Sequence, residues 1–332
     1  MLFEPYQLKQ MTLKNRVVMP PMCMYSAEND GQVNDFHIIH YGARAIGGVG
    51  LIIQEATAVL PNGRITNHDL GIWSDAHVQG LKHIVKTIKT FGAVPGIQIN
   101  HAGRKAKVEN PIGPSPISYG GDYQTPTEMT LEDIQEVIHA FGQAARRANE
   151  AGYELLEIHG AHGYLIFEFL SPISNLRQDR YKNGTIFLKE VLEEVVKYWP
   201  KEKVLALRVS SYEYVEGGVT PQTISDAINQ VKHLGLDLID VSSGGNILVK
   251  INAFPGYQLD LSSEVRKRTG LPTIGGGLIT DLKLAEHALG SKRCDLVYLG
   301  RALLRDPHLI INDAQLLGVE VPYPTPYIRG KR

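Results

Sequence analysis

The sequence predicts a (β/α)8 TIM barrel with a short N-terminal hairpin plug over residues 1–13 and a C-terminal extension over residues 310–332. Three observations lead there. Eight short apolar, β-branched runs recur along the chain. Amphipathic segments of helical period lie between most of them. The series takes up about 290 residues, the length that eight strand–helix units need. A doubly wound open sheet is the rival for the same alternation. No shift in composition and no linker divides the 332 residues. The chain is therefore read as one domain, not the two that about 150 residues per domain would suggest.

The strand runs are Arg16–Met19, Val49–Gln54, Val94–Asn100, Glu154–His159, Val204–Val209, Leu238–Val241, Pro272–Gly275 and Leu296–Leu299. They read as continuous apolar stretches, as strands covered on both faces of a parallel sheet do. Helix signals fall between them. Asp75–Thr90 spaces Val78, Leu81, Ile84, Val85 and Ile88 along one face. Leu131–Ala151 follows Thr130 as N-cap, with Asp133 three residues on. Phe187–Tyr198 stops at Pro200, Pro221–Leu234 opens on Thr220-Pro221 and ends at Gly235, and Asp281–Leu289 ends at Gly290. Leu2–Leu13 reads as the hairpin at the barrel floor. Ala102–Met129, rich in Gly, Pro and Ser, is too long for a plain connector; such loops are functional or mobile.

Composition narrows the function. Hydrophobic residues make up 43% and charged residues 21%, which excludes a disordered chain, a coiled coil and a disulfide-rich mini-protein. Lys plus Arg is 34 against 35 Asp plus Glu, so no basic excess points to nucleic acid or to an anionic membrane. The two cysteines, Cys23 and Cys294, are too few for a disulfide framework or a four-thiolate metal site, and the strand order puts them at opposite barrel ends. The opening MLFEPYQLKQ has no apolar signal core and no run of 18 apolar residues occurs, so a soluble, cytoplasmic protein is expected.

In a barrel of this class, chemistry gathers at the C-terminal strand ends. Those ends carry Pro20 to Tyr25, Glu55 to Thr57, Gln98 to Arg104, His159 to Tyr164, Arg208, Ser242 to Gly245, Gly275 to Gly277, and Gly300-Arg301. The last two sets follow strands seven and eight, where barrels hold phosphate. Glycine admits backbone N–H groups close to a phosphate, and Arg301 adds a fixed cation. The plain alternative is a tight strand-to-helix turn. Gly47-Gly48-Val49-Gly50 precedes a strand, so no Rossmann fingerprint is present. Gln98 offers both donor and acceptor, as a flavin's pyrimidine edge requires, and Arg208 beside it would stabilise the anionic reduced flavin. Arg208 can instead close an internal salt bridge, with Glu157 for example. His159-x-x-His162 is the sharpest local feature. The pair can donate to one substrate carbonyl oxygen, with Tyr164 as a proton source, or serve a metal-dependent hydrolase together with His101. Structural histidines satisfied by the backbone are the plain alternative.

Taken in order, these residues resemble Old Yellow Enzyme-type flavin oxidoreductases, in their bacterial NADPH dehydrogenase branch. The carrying motifs are Asn15 to Tyr25, Gln98 to Lys105, His159 to Tyr164 with Phe169-Leu170-Ser171-Pro172, Asn175-x-Arg177-x-Asp179-x-Tyr181, Glu216-Gly217-Gly218, Val241 to Gly245, and Gly300-Arg301-Ala302. The resemblance implies one FMN across the barrel mouth. Pro20, Pro21, Met22, Cys23, Ala56, Gln98 and Arg208 would hold its ring, and Gly300 and Arg301, beside Gly276 and Gly277, its phosphate. It implies that His159 and His162 hydrogen-bond the carbonyl of an α,β-unsaturated acceptor. Hydride then passes from flavin N5 to the β-carbon and a proton from Tyr164 to the α-carbon. Tyr25 is similar to a second substrate-contacting tyrosine, and Cys23 to one that tunes the flavin potential. NADPH is the implied reductant, in a ping-pong cycle.

Two departures stand out. Pro20 occupies a place where the family often has Ala or Ser, and Lys182-Asn183-Gly184 replaces a common Gly-Gly after Tyr181. The tail around Arg329 is similar to one that reaches into a neighbouring subunit's site, which implies a homo-oligomer, a dimer or dimer of dimers. An iron–sulfur relative of the dienoyl-CoA reductase type would need a cysteine cluster that two cysteines do not provide. A non-catalytic flavin-binding protein is the remaining alternative.

Overall fold

The structure is a computed structural model and describes residues 1–331. Eight parallel strands close into a barrel in chain order. They are Val17–Met19, Leu51–Ala58, Val94–Asn100, Leu155–Gly160, Val204–Ser210, Leu238–Ser242, Thr273–Gly275 and Leu296–Tyr298. The eighth pairs back onto the first through Val297 with Val17 and Tyr298 with Val18, which removes the open-sheet rival. Each expected run is a strand, with one notable change of length. The second continues to Ala58 because Glu55, Ala56 and Thr57, which read as a polar loop, stay buried and a register shift between Gln54 and Thr57 carries the pairing on to Asn100.

Alternation along the strands sorts the interior into layers. The lower layer is apolar: Val18, Leu51, Ile53, Leu155, Val204, Ala206, Leu238, Ile274 and Leu296 meet Met11 and Leu13. The last two come from the expected hairpin, whose strands Tyr6–Leu8 and Met11–Leu13 pair antiparallel beneath the barrel. Two residues further along the same inward faces stand Glu157, Arg208 and Asp240, and beyond them His159, Ser210 and Ser242. The interior thus changes from apolar to ionisable within one step toward the mouth.

The helices follow their signals with small offsets. Asp75–His77 is a 3-10 turn running into the α-helix Val78–Thr90. Thr130 accepts from the Asp133 N–H at 3.1 Å while Asp133 accepts from the Thr130 N–H at 2.8 Å, the reciprocal cap expected for Leu131–Ala151. Pro221–Val231 continues as a 3-10 turn to Leu234, and Gly235 leaves it at φ +113°. The helix expected over Phe187–Tyr198 instead spans Gly184–Val195. Asp35–Ile46 carries no clear apolar stripe, because its buried face includes His37, His40, Tyr41 and Arg44.

The long connector is held down at several points. Arg104 donates to the Ile117 carbonyl at 3.2 Å and to both oxygens of Asn246, at 2.5 and 2.8 Å. Ile112–Gly113 and Thr127–Glu128 form a two-residue parallel pair inside it. At the other end, Pro322–Tyr327 share a groove with Lys14, Gly48 and Gly92, residues that precede the first three strands at the barrel floor. Among the described residues, no helix is long and apolar enough to cross a membrane.

The Lys182-Asn183-Gly184 departure has a structural role. Asn183 caps the helix by accepting from the Thr185 N–H, and Gly184 lies so close to the short helix Leu165–Leu170 that an added Cβ would stand 1.8 Å from the Phe169 carbonyl oxygen. Gly184→Ala should therefore destabilise the protein by about 2 kcal/mol, as overpacking against backbone does. Urea unfolding checks this, and a midpoint equal to that of the parent protein would contradict it.

Candidate active site

His159 and His162 stand at the end of the fourth strand, with ring centroids 5.3 Å apart and planes at 85°. Their tautomers follow from their partners. His159 Nδ1 accepts the Ala161 N–H at 3.2 Å, so its proton sits on Nε2. His162 is set by a longer relay. The Tyr298 hydroxyl donates to Gln258 Oε1, which turns the Gln258 amide nitrogen toward Ser242 Oγ at 3.2 Å. Ser242 Oγ lies 2.7 Å from His162 Nε2, and with the serine hydroxyl as donor the ring proton sits on Nδ1. His162 is held at φ +59°, with its N–H donating to Ser210 Oγ at 2.9 Å. Each ring thus keeps one N–H donor free of protein partners. Burial holds both imidazoles well below their ordinary titration range, and Arg208 and Lys105 add to it, so both are neutral donors.

Tyr164 packs edge-on against His159 at 4.8 Å. Burial raises its hydroxyl well above the usual phenol range, so it keeps its proton. Lys105 lies 5.0 Å from the Tyr164 ring centroid and donates to the His162 and Gly245 carbonyls at 2.9 and 2.8 Å. Burial lowers that ammonium to about 8. Cys23 shares a small apolar cluster with Ala56 and Tyr164. Tyr25 is 47% exposed and sits at φ +51°, at the outer edge of the mouth.

Gln98 and Arg208 line the layer beneath. Gln98 donates an amide N–H to Glu157 Oε1 at 2.8 Å. Arg208 pairs with Asp240, at 3.0 Å, and not with the Glu157 suggested by the sequence. Its Nη1 also reaches the Pro21 carbonyl at 3.5 Å. Pro20 and Met22 approach Gly300, where a Cβ would lie 3.8 and 3.5 Å from them. The ends of strands one, five and eight therefore meet. Beside them a cleft of about 420 Å³ is lined by Ser242, Ser243, Gly277, Gly300, Arg301 and Arg305. Gly277 takes φ +94° there, a conformation that favours glycine. Gly276 does something else: the Tyr298 ring fills the place of its missing side chain, at 2.6 Å from an ideal Cβ.

With this geometry in view, residues 1–316 match the NADH:flavin oxidoreductase / NADH oxidase family. The chain belongs to that family. It is 50% identical to an NADPH dehydrogenase of Clostridium acetobutylicum over 99% of both chains, and 47% identical to one of Bacillus subtilis over 99% of this chain and 98% of that one. Among solved structures it resembles morphinone reductase, with TM-score 0.82 and 26% identity over 98% of this chain and 91% of that one. It also resembles the old yellow enzyme homologue from Zymomonas mobilis, with TM-score 0.81 and 28% identity over 97% and 94%. The Old Yellow Enzyme resemblance and the oxidoreductase class are thus met, and FMN is the cofactor. The chain's own residues fit it: a glycine-bearing cleft with two exposed arginines one helical turn apart, beside a buried amide and guanidinium.

The hydrolase reading loses its ligands. His101 is buried with Nδ1 accepting from the Gly103 N–H at 3.1 Å and its ring against Gly63, and no group of three His, Cys, Asp or Glu side chains among the described residues is placed to hold a metal. Arg329, exposed in the 3-10 turn Thr325–Gly330, belongs to the tail at the barrel floor, so it does not join the mouth of its own barrel. Sequence reasoning missed Asp240 and the Tyr298–Gln258–Ser242 relay. Asp240 had a signal, an ionisable residue inside the apolar run LIDVS, the same sign that marked Arg208 in VLALRV. The relay had none, since its members come from three separate segments.

Both thiols are free. Burial pushes Cys23 far above its ordinary value and Cys294 to about 12. Native protein at pH 8 should take up almost no iodoacetamide in a time that labels both thiols of the unfolded chain. Mass spectrometry reads the result, and rapid labelling of Cys23 in the native protein would contradict it.

Proposed function

We propose that the chain is an ene-reductase that takes its electrons from NADPH and reduces the C=C bond of α,β-unsaturated aldehydes, ketones and related electrophiles. The observation that carries this reading is the pair of neutral imidazoles, each with one N–H left free at the barrel mouth. FMN, held by the residues named below, would supply the hydride chemistry between NADPH and the acceptor.

The chain's own residues do the rest. His159 Nε2–H and His162 Nδ1–H donate to one carbonyl oxygen and stabilise the negative charge that grows there. Neutral imidazoles suit this task because they donate without surrendering a proton to the substrate. Tyr164 holds a proton beside them and gives it to the α-carbon, and Tyr25 closes the outer side of the substrate. Gln98 accepts from the flavin's pyrimidine edge while Arg208 faces the charge that reduction adds. Pro20, Pro21, Met22, Cys23 and Ala56 frame the ring. Gly277, Gly300 and Arg301 take the phosphate, with Gly276 shaping the turn against Tyr298. Arg329 acts in a neighbouring subunit's mouth within a homo-oligomer, a reading supported by its distance from its own. Two free thiols suit the reducing cytoplasm.

Purified protein should show flavin absorbance that bleaches with NADPH and returns when an enone is added. Absorbance unmoved by both additions would leave only a flavin carrier. His159→Ala and His162→Ala should each weaken binding of a neutral enone about tenfold, the loss of roughly one hydrogen bond to growing charge, while FMN stays bound. Wild-type enone affinity in both variants would remove the clamp. Tyr164→Phe should slow flavin reoxidation by enone by about 10²-fold and leave reduction by NADPH nearly unchanged. Stopped-flow absorbance separates the two half-reactions, and equal slowing of both would argue against the proton-donor role. Arg208→Gln should weaken FMN binding and lower the flavin's midpoint potential, which reductive titration reads.

A further inference from the structure

Below the histidines, the barrel interior holds a second group of ionisable residues that the chemistry above does not use. Glu157 and Asp240 are both fully buried, and both face Arg208. Their relations to it differ. Asp240 lies on the neighbouring strand in direct register with Arg208, and its Oδ2 comes within 3.0 Å of Arg208 Nε. Glu157 is engaged from the other side by the Gln98 amide at 2.8 Å, and its Oε2 has no partner. One guanidinium balances one carboxylate at low cost; a second buried carboxylate with an empty oxygen would be expensive. The arrangement therefore makes Asp240 the anion. Burial, reinforced by the Asp240 charge, pushes the Glu157 carboxyl well above the usual range and keeps it protonated.

We propose that Asp240, through its ion pair with Arg208, sets the reduction potential of the bound flavin. The inference rests on the proposed placement of the flavin's pyrimidine edge against Gln98 and Arg208. Asp240 acts as a positioning residue: it fixes the guanidinium and offsets part of its charge. A flavin that gains negative charge on reduction then feels a dipolar pair, not a lone buried cation. The contact is a charge contact, since neither Asp240 oxygen accepts an aligned hydrogen bond. Replacing Asp240 by Asn thus removes charge while leaving an amide of nearly the same shape beside Arg208. The unbalanced guanidinium then favours the reduced flavin, because Coulomb energy in a buried site scales inversely with a small effective dielectric constant.

The test is the midpoint potential of the holoenzyme, measured by reductive titration against a reference dye. Asp240→Asn should shift the oxidised–reduced equilibrium at least tenfold toward reduced flavin, about 30 mV for a two-electron couple. Glu157→Gln, replacing a group already neutral, should leave the potential unmoved. An unmoved potential in folded, FMN-bound Asp240→Asn overturns the inference, and so does a shift in Glu157→Gln as large as that of Asp240→Asn. Should Asp240→Asn shed its FMN, Glu157→Gln decides alone. An unmoved potential supports the assignment, and a tenfold upward shift places the buried anion on Glu157 and overturns it. Arg208→Gln separates the two levels of the argument. If it too leaves the potential unmoved, the placement of the flavin fails. If it lowers the potential while Asp240→Asn does not move it, the placement stands and this inference alone falls.

Discussion

The ion pair between Arg208 and Asp240 is the constraint on which the barrel mouth depends. Two buried charges on adjacent strands are costly unless they hold each other, and the parallel register that sets their Cα atoms side by side is what lets them do so. The pair also marks a boundary. Below it every interior side chain is apolar and packs on Met11 and Leu13 of the hairpin. Above it the strand ends are free to be polar. The packed apolar layer beneath supports the charged layer, which carries its guanidinium on the fifth strand and its carboxylate on the sixth.

Above this floor, orientation is controlled by hydrogen bonds that start far from the reacting atoms. Tyr298 on the eighth strand lies 5.8 Å from the Arg208 guanidinium by its ring centroid, and donates through its hydroxyl to Gln258. From there hydrogen bonds run through Ser242 to His162. One imidazole is thus held by a chain of side chains that begins on the opposite wall of the barrel. His159 needs no such chain, because the Ala161 N–H lies two residues away. The paired histidines differ in how they are set, although they serve one oxygen in the proposed chemistry.

The loops over the mouth are tied by a third arrangement. Arg104 grips Asn246, Asn246 donates to Glu213 at 2.7 Å and to Ser174 at 3.1 Å, and Glu213 accepts from Ser171. Lys105, next to Arg104, pins the carbonyls of His162 and Gly245. Gly163 and Gly245 let these two backbones touch, since a Cβ on either would stand within 3 Å of the other loop. The connector that begins at Ala102 is therefore part of the mouth, fastened by its first residues, and its glycine and proline content says little about that attachment.

Period and composition pointed to a barrel of eight strand–helix units and left an open sheet as its rival, which the pairing of the eighth strand with the first removes. They also located the functional end, because polar residues after apolar strands have only one place to go. His159, His162, Tyr164, Gln98 and Arg208 were legible for that reason. What the sequence left open concerned pairs. It could not say that Arg208 meets Asp240 and not Glu157, because that choice depends on which strands neighbour each other and in which register. Nor could it distinguish Gly276, which accommodates the Tyr298 ring, from Gly277, which lines the cleft. The run Glu55 to Thr57 looked like a loop and is strand, because burial in the wall outweighs its polarity. Such distinctions arise only when segments far apart in the chain come within hydrogen-bond reach, and tertiary structure alone decides which ones do.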